Sequence, residues 1–306
     1  MRATLLHNPK AGRSDHDADD LTALLRDQGF DVVYASTKTP EYPDALEEPA
    51  DLLVIAGGDG TVRKIMTRIV HREVPILILP LGTANNVARS LGIAGNPQEI
   101  LPGVVGDLAS AKRLPFDIGA AEGPWGASPF VEAMGCGALA ATMGEQSKAL
   151  GQKRLDEGRD ALCEAIDAMR PMRASIAIDE HMLEGEWLMI EILNNPFTGP
   201  GLMLSPHADP GDGLLDLVCL RENRRKDMIE WLRTPSDESS HDAPPMVCTR
   251  GRRISIDVEK DWPLRLDDQE CDTAGWKGDA RICARLQDKP LQVLVPEVLV
   301  PAERDR

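Results

Sequence analysis

The chain has 306 residues, 42% hydrophobic and 27% charged, and its 34 Lys and Arg against 50 Asp and Glu give a net charge of −16. That length suits two ordinary domains, and the negative field argues against a nucleic-acid partner and against a polybasic membrane anchor. The amino-terminal apolar run is too short for a secretory signal, no apolar run can span a membrane, and the 6 cysteines lack CxxC or zinc spacing, so the chain reads as a cytoplasmic protein with reduced thiols.

The first hundred residues alternate strand and helix. ATLLH is a short apolar strand, broken by NPKAG. A helix is expected from about Ser14, with Leu21, Leu24 and Leu25 on one face and Gly29 as its stop. FDVVYA gives a second strand, and ADLLVIA a third that is apolar throughout, as a strand buried on both faces should be. Val62, Ile65, Met66 and Ile69 recur at helical spacing, VPILILP is a fourth strand, and TANNVARSLG begins another helix. This rhythm predicts an α/β, doubly wound parallel sheet with its site at the carboxyl ends of the strands.

After Pro115 the rhythm changes. Apart from a helical stretch from about Gly144 to Met169, the segments are short and strand-like. SIAID and EWLMIEIL flank a turn, DEHMLEG. LLDLVCL, RRISIDVE, PLRLD, ARICARL and PLQVLV follow, which is the pattern of an antiparallel β-sandwich or barrel. TPSDESSHDAPP reads as an exposed loop. Leu150, Leu155, Leu162 and Ile166 could shape the entrance to a site or simply pack as core. The working arrangement is an α/β domain over 1–115, which the motifs below make a nucleotide-binding candidate, a second domain over 116–294, residues 295–306 free to return to the first, and a cleft between the two.

The strongest local signal is GGDGT at 57–61, directly after a buried strand and before a helix. Adjacent glycines let consecutive N–H groups point into one cavity, and a helix N-terminus adds positive partial charge, which together suit phosphates. The bland reading is a tight turn that needs glycine and binds nothing. Asp59 would meet a cation, a ribose hydroxyl or a neighbouring loop. NPKAG at 8–12 and PLGTANN at 80–86 fall at the same sheet edge, each with small residues, an amide or hydroxyl, and a helix start. There is neither a P-loop motif nor GxGxxG after the first strand. The histidines are dispersed without ligand spacing.

NPKAG, GGDGT and PLGTANNVAR in this order resemble the diacylglycerol kinase catalytic-domain family, which includes bacterial diacylglycerol kinases, YegS-like lipid kinases and sphingosine kinases. The resemblance continues through NNPFTGPGLMLSPHADPGDGLLDLVCL, PLRLDDQE and PLQVLVP, nearly the whole chain. It implies ATP-dependent phosphorylation of a lipid hydroxyl, with a lipid met at the membrane surface by a protein without a transmembrane segment. Carried across, Asn8, Pro9, Lys10, Ala11, Gly12, Thr37, Gly57, Gly58, Asp59, Gly60, Thr61 and Thr83 would line the ATP site. Asp209, Asp212 and the Leu214 carbonyl would hold a structural Mg²⁺, whose hard-cation chemistry suits oxygen ligands. Without the resemblance, Asp212-Gly213 reads as a hairpin turn.

The chain departs from the family pattern in places. Arg63 and Lys64 replace the usual Asn-Glu, either holding anionic phosphates or lying on a solvated helix face. Asn86 stands where Asp is frequent, GCGALAATM lacks a following Asp, and LDDQE replaces LDGE. The last change leaves two candidates for the base. The gapless register selects Asp267, with Asp268 as a supporting or alternative carboxylate, and a solvated turn is the plain alternative to both. An NAD kinase-like enzyme and a nucleotide-binding protein with little turnover remain competing readings. An exposed edge strand in the second domain would permit a homodimer.

Overall fold

Strong apolar runs need cover on both faces, and in a computed structural model of the chain they obtain it in two large sheets, with β-strands at 197–198 and 202–203 forming a small third. The structure describes every residue except 13–15, 106–107, 144–150, 235–242, 274 and 297–306. Two compact units result, one of Met1–Phe116 joined by the segment from Lys289, the other of Asp117–Asp288.

The first unit runs β1 (Arg2–His7), α1 (Ala18–Asp27), β2 (Asp31–Ser36), α2 (Asp44–Glu47), β3 (Leu52–Gly57), α3 (Asp59–Met66), β4 (Ile76–Pro80), α4 (Asn86–Ser90), α5 (Pro97–Val105) and β5 (Arg113–Phe116). Of the helix expected from Ser14, α1 begins at Ala18, where the Asp17 carboxylate caps the Asp20 N–H at 2.8 Å. Its buried stripe is Leu21 and Leu25, and Gly29, at φ +84°, turns the chain away. Strands β2, β1, β3 and β4 are parallel neighbours. All six residues of β3 are buried, as its unbroken apolar run requires.

The second unit contains β6 (Gly119–Gly123), β7 (Gly126–Phe130), β8 (Ala133–Gly137), α6 (Ala138–Ala141), α7 (Gln152–Ala168), β9 (Met172–Ile178), β10 (His181–Leu193), β11 (Phe197–Thr198), β12 (Leu202–Met203), β13 (Leu215–Arg221), α8 (Arg225–Arg233), β14 (Val247–Gly251), β15 (Arg253–Val258), β16 (Leu264–Leu266), β17 (Gln269–Glu270) and β18 (Ala280–Leu286). Its main sheet runs β17-β16-β8-β10-β9-β15-β18-β6-β7, with β13 joining β10 to β14. The pairings are antiparallel throughout.

Period-two alternation explains the burial of β13. Leu215, Leu217 and Cys219 enter one core with Ile190, Ile192 and Trp262, while Val218 and Leu220 enter another with Leu162, Ile166 and Met228. Leu162 and Ile166 of the α7 stripe are therefore packed core, while Leu155 is half-buried. Leu150 lies outside the described residues, as do most of the expected loop at 234–245 and the start of the expected helix at 144.

Three expectations are corrected. The turn read in DEHMLEG contracts to Asp179 and Glu180, because Ile178 already pairs with His181. Helix α8 was hidden by its charges, although Met228 and Leu232 bury one face. The strand in PLQVLV, β19 (Leu291–Leu294), does not stay with 116–294. It inserts between β4, to which it is parallel, and β5, to which it is antiparallel. Leu291, Val293 and Leu294 are fully buried there, so an inner position of the first sheet satisfies a strand that is apolar on both faces.

Candidate functional site

Three loops continue the carboxyl ends of adjacent parallel strands in the first unit. The hydrogen-bond ladder runs past the strands: the Asn8 N–H donates to the Ala56 carbonyl at 2.9 Å, and the Leu81 N–H to the Gly57 carbonyl at 3.0 Å. Side chains then tie the loops together. Asn8 Nδ2 donates to Thr61 Oγ1 at 3.0 Å, while Asn8 Oδ1 accepts from the Lys10 N–H at 3.1 Å.

Backbones touch where the glycines stand. A Cβ on Gly58 would come 2.9 Å from Gly82 Cα, and one on Gly82 would come 2.5 Å from Gly58 Cα. Gly12, at φ +60°, has no room for a side chain against the Leu81 carbonyl. Close approach thus requires glycine in all three loops, and at Gly12 the left-handed backbone requires it as well. The result is a surface lined by main chain, with the first turn of α3 starting at Asp59 behind it.

Among the partners open to Asp59, the structure selects the neighbouring loop. Its carboxylate accepts from the Val87 N–H at 3.1 Å, capping α4. Burial pushes the Asp59 carboxyl up, against the main-chain donors at residues 85–87 that favour its charge. Asn85, in the left-handed region at φ 49°, closes the third loop through reciprocal bonds with Gly82 of 2.9 and 3.0 Å. Sequence reasoning passed over Asn85. The signal was present in its residue type, since Asn tolerates that conformation and bonds its own loop. Thr37 is buried at the end of β2, its N–H on the His7 carbonyl and its own carbonyl accepting from Lys64 Nζ at 2.6 Å. Pro9 and Lys10 are exposed, and Ala11, Gly60 and Thr83 are half-buried in the same loops and first turn.

In the second unit, Asp267 and Asp268 form the two-residue loop between β16 and β17, with Leu266 opposite Gln269. Asp267 is only 5% exposed and lies at φ 51°. Its carboxylate accepts from the N–H groups of Val131, Glu132 and Ala133 at 2.7 to 3.2 Å. This side chain, the first candidate for the base, fastens the turn after β16 to the start of β8. Asp268 is exposed.

A buried polar network stands behind that loop. Arg265, 1% exposed, donates through Nη2 to Glu191 Oε2 at 2.6 Å and to Thr198 Oγ1 at 2.7 Å, and through Nη1 to the Asp267 carbonyl at 2.6 Å. Thr198 in turn donates to Glu132 at 2.7 Å. Burial opposes the Arg265 charge, and the Glu191 carboxylate holds it protonated. Leu264 lies in the core, and Arg265, next to it in β16, is buried as well. Burial of Arg265 was not anticipated.

Asp209, Asp212 and Leu214 share one turn. Asp209 Oδ1 accepts from the Gly211 N–H at 3.0 Å, Asp212 Oδ1 from the Leu214 N–H at 2.9 Å, and Asp117 Oδ2 from the Gly213 N–H at 3.0 Å. Burial, then Asp212 and Asp209, push the Asp117 carboxyl up. The oxygens suit a hard cation. Among the described residues no group of three His, Cys, Asp or Glu is arranged around a metal position, so main-chain oxygen and water would have to complete the shell.

A parallel-sheet unit with three backbone-lined loops on one edge, in a chain with an antiparallel β unit, defines the architecture of the diacylglycerol and NAD kinases. The model of the diacylglycerol kinase catalytic domain matches residues 2–121, and that of the YegS C-terminal NAD kinase beta sandwich-like domain matches residues 133–279. The diacylglycerol kinase of Bacillus subtilis (strain 168) is 26% identical over 284 residues, covering 87% of this chain and 89% of that one. A Klebsiella pneumoniae (strain 342) protein named "Probable lipid kinase YegS-like" is 31% identical over 233 residues, covering 70% and 73%. A crystal structure of a diacylglycerol kinase from Bacillus anthracis str. Sterne superposes with TM-score 0.68 at 18% identity over 98% of both chains. The NAD kinase from Archaeoglobus fulgidus in complex with ATP shares the fold at TM-score 0.50 and 11% identity, covering 97% of this chain and 94% of that one. The chain belongs to the diacylglycerol kinase and YegS-like lipid kinase family. Among the described residues no helix is long and apolar enough to cross a membrane.

Proposed function

We propose that this protein is an ATP-dependent phosphotransferase that moves the γ-phosphoryl group of ATP to the hydroxyl of a diacylglycerol-like lipid, met at the membrane surface. The observation that carries the reading is the contact of the three glycine loops at one sheet edge. Main-chain N–H groups there can follow a triphosphate closely, because no side chain intervenes. Asn8 to Gly12, Thr37, Gly57 to Thr61 and Thr83 would line it.

In the reaction the lipid oxygen forms a bond to the γ-phosphorus as the bond to the β–γ bridging oxygen breaks, and the hydroxyl proton leaves to a base. Of the two carboxylates considered, Asp268 is the one that solvent and an acceptor hydroxyl can reach. Mg²⁺ accompanying ATP would offset charge on the phosphoryl oxygens. Asp209, Asp212 and the Leu214 carbonyl would hold a second, structural ion. Asp212→Ala should then abolish any rise in melting temperature on adding Mg²⁺, because a bound ion stabilises only the folded state.

The test is phosphate transfer from labelled ATP to diacylglycerol, phosphatidylglycerol, sphingosine and NAD, with ATP affinity measured separately. Transfer to a lipid supports the proposal. Transfer to NAD alone would replace it with the NAD kinase reading, and tight ATP binding without transfer would leave a nucleotide-binding protein.

A further inference from the structure

Beside the glycine loops, the end of β2 carries polar groups that the kinase reading leaves unused. Lys64 Nζ donates to the Thr37 carbonyl at 2.6 Å and stands 4.1 Å from the centre of the Tyr42 ring. Arg68 Nη1 donates to the Lys64 carbonyl at 2.6 Å, and Lys38 directly follows Thr37. Tyr42 is only 5% exposed, yet its hydroxyl is buried with no hydrogen-bond partner among the described residues. Lys38, Lys64 and Arg68 have no carboxylate partner among the described residues either. In a chain of net charge −16, three cations without a carboxylate partner are unusual.

Ordinary helix chemistry explains part of it. Arg63 and Lys64 lie in the last turn of α3, where cations offset the helix dipole. A dipole does not account for Lys64 turning over a buried ring, nor for a buried hydroxyl with nothing to bond. Burial, then repulsion from Arg68, Lys38 and Arg63, push the Lys64 ammonium down.

We infer that Tyr42, Lys64, Lys38 and Arg68 form a subsite for a phosphate-class dianion beside Thr37, separate from any triphosphate held by the glycine loops. Lys38 and Arg68 act electrostatically on Lys64, and Arg68 on Tyr42, so ammonium, guanidinium and phenol donors of the kinds that hold a phosphate group stand near one another. The phosphate could be a free ion or an ester on the ribose of a bound nucleotide.

Calorimetric titration with inorganic phosphate tests this, with a non-hydrolysable ATP analogue present at saturation. Saturable binding is expected in the wild type. It should weaken by at least about tenfold in Arg68→Gln and Lys64→Gln, the scale of a hydrogen bond to a charged group. Arg68 is exposed, so its variant keeps the fold, and Tyr42→Phe should weaken binding as well. Comparing adenosine 2′,5′-bisphosphate with AMP separates the sources. An advantage for the bisphosphate that vanishes in Arg68→Gln assigns the ribose ester, and equal affinity with phosphate binding retained assigns the free ion. Absence of saturable binding by either probe, or binding unchanged in Arg68→Gln and Lys64→Gln, overturns the inference. Failure of the ATP analogue to bind while phosphate still does would overturn the nucleotide reading alone.

Discussion

Gly82 has almost no freedom to change, because its Cα faces Gly58 across a gap that a methyl group would close to 2.5 Å. Both sides of that contact are main chain, so no rotamer can relieve it. Gly82→Ala is expected to cost about 1–3 kcal/mol as overpacking and to spread the loops. Thermal melting and ATP affinity should fall together, and an unchanged affinity would show that the loops can part without consequence. His7, at the end of β1, gives a second residue-scale prediction. It is fully buried, its Nδ1 is 3.4 Å from Tyr34 Oη, and burial lowers its pKa from 6.5, with Asp17 opposing and His16 assisting. Above pH 6.5 both folded and unfolded chains keep it neutral. Below that value the unfolded chain takes up the proton first, so stability falls with pH until the folded ring also titrates. His7→Gln should flatten this slope between pH 6.5 and the lowered folded value in denaturant titrations; an unaltered slope would clear His7 of the effect.

At the scale of elements, hydrophobic pattern and turn chemistry located the strands that matter, while long-range polar contacts escaped it. GGDGT, NPKAG and PLGTANN were legible because each couples glycine to a strand end. PLRLDDQE was legible as a strand and turn, but nothing local said that Asp267 would meet residues 131–133, which lie 134 to 136 positions away. Nor did any pattern reveal that Arg265 would be paired inside the protein with Glu191, 74 positions distant. The energetics of this element are open to a direct check. Arg265→Met leaves Glu191 buried without its partner and should destabilise by about 3–5 kcal/mol, whereas replacing both with apolar residues should recover much of the loss. Asp267→Asn should also destabilise, by about 1–3 kcal/mol, because a neutral amide offers fewer acceptor sites to three N–H groups. Asp268→Asn should leave the melting temperature near wild type and slow the chemical step by about 10²–10⁴ if Asp268 is the base. A stable Asp267→Asn protein with the larger kinetic defect would restore the first register.

Over the whole molecule, the change from alternating β-α to strand after strand marked where one unit gives way to the other. A return to the first unit was expected for residues 295–306, but composition could not place its start at Lys289, ahead of the strand. A run such as LQVLV fits equally well in either sheet, and only the vacant slot between β4 and β5 decides its place. That return has a consequence for stability. Residues 117–288 are continuous in sequence, whereas the first unit needs the segment from Lys289. Ending the chain after Asp288 removes Leu291, Val293 and Leu294 from full burial, each worth about 1.5–3 kcal/mol. It also leaves β4 with an unpaired edge and β5 with no neighbour in its sheet. The sum is comparable to the entire stability of an ordinary domain, about 5–15 kcal/mol. Limited proteolysis of the shortened chain should therefore leave a resistant fragment spanning 117–288 and digest residues 1–116, whereas both regions resist in the full chain. Equal protection of 1–116 with and without β19 would mean that the four parallel strands β2, β1, β3 and β4 hold the first unit together unaided.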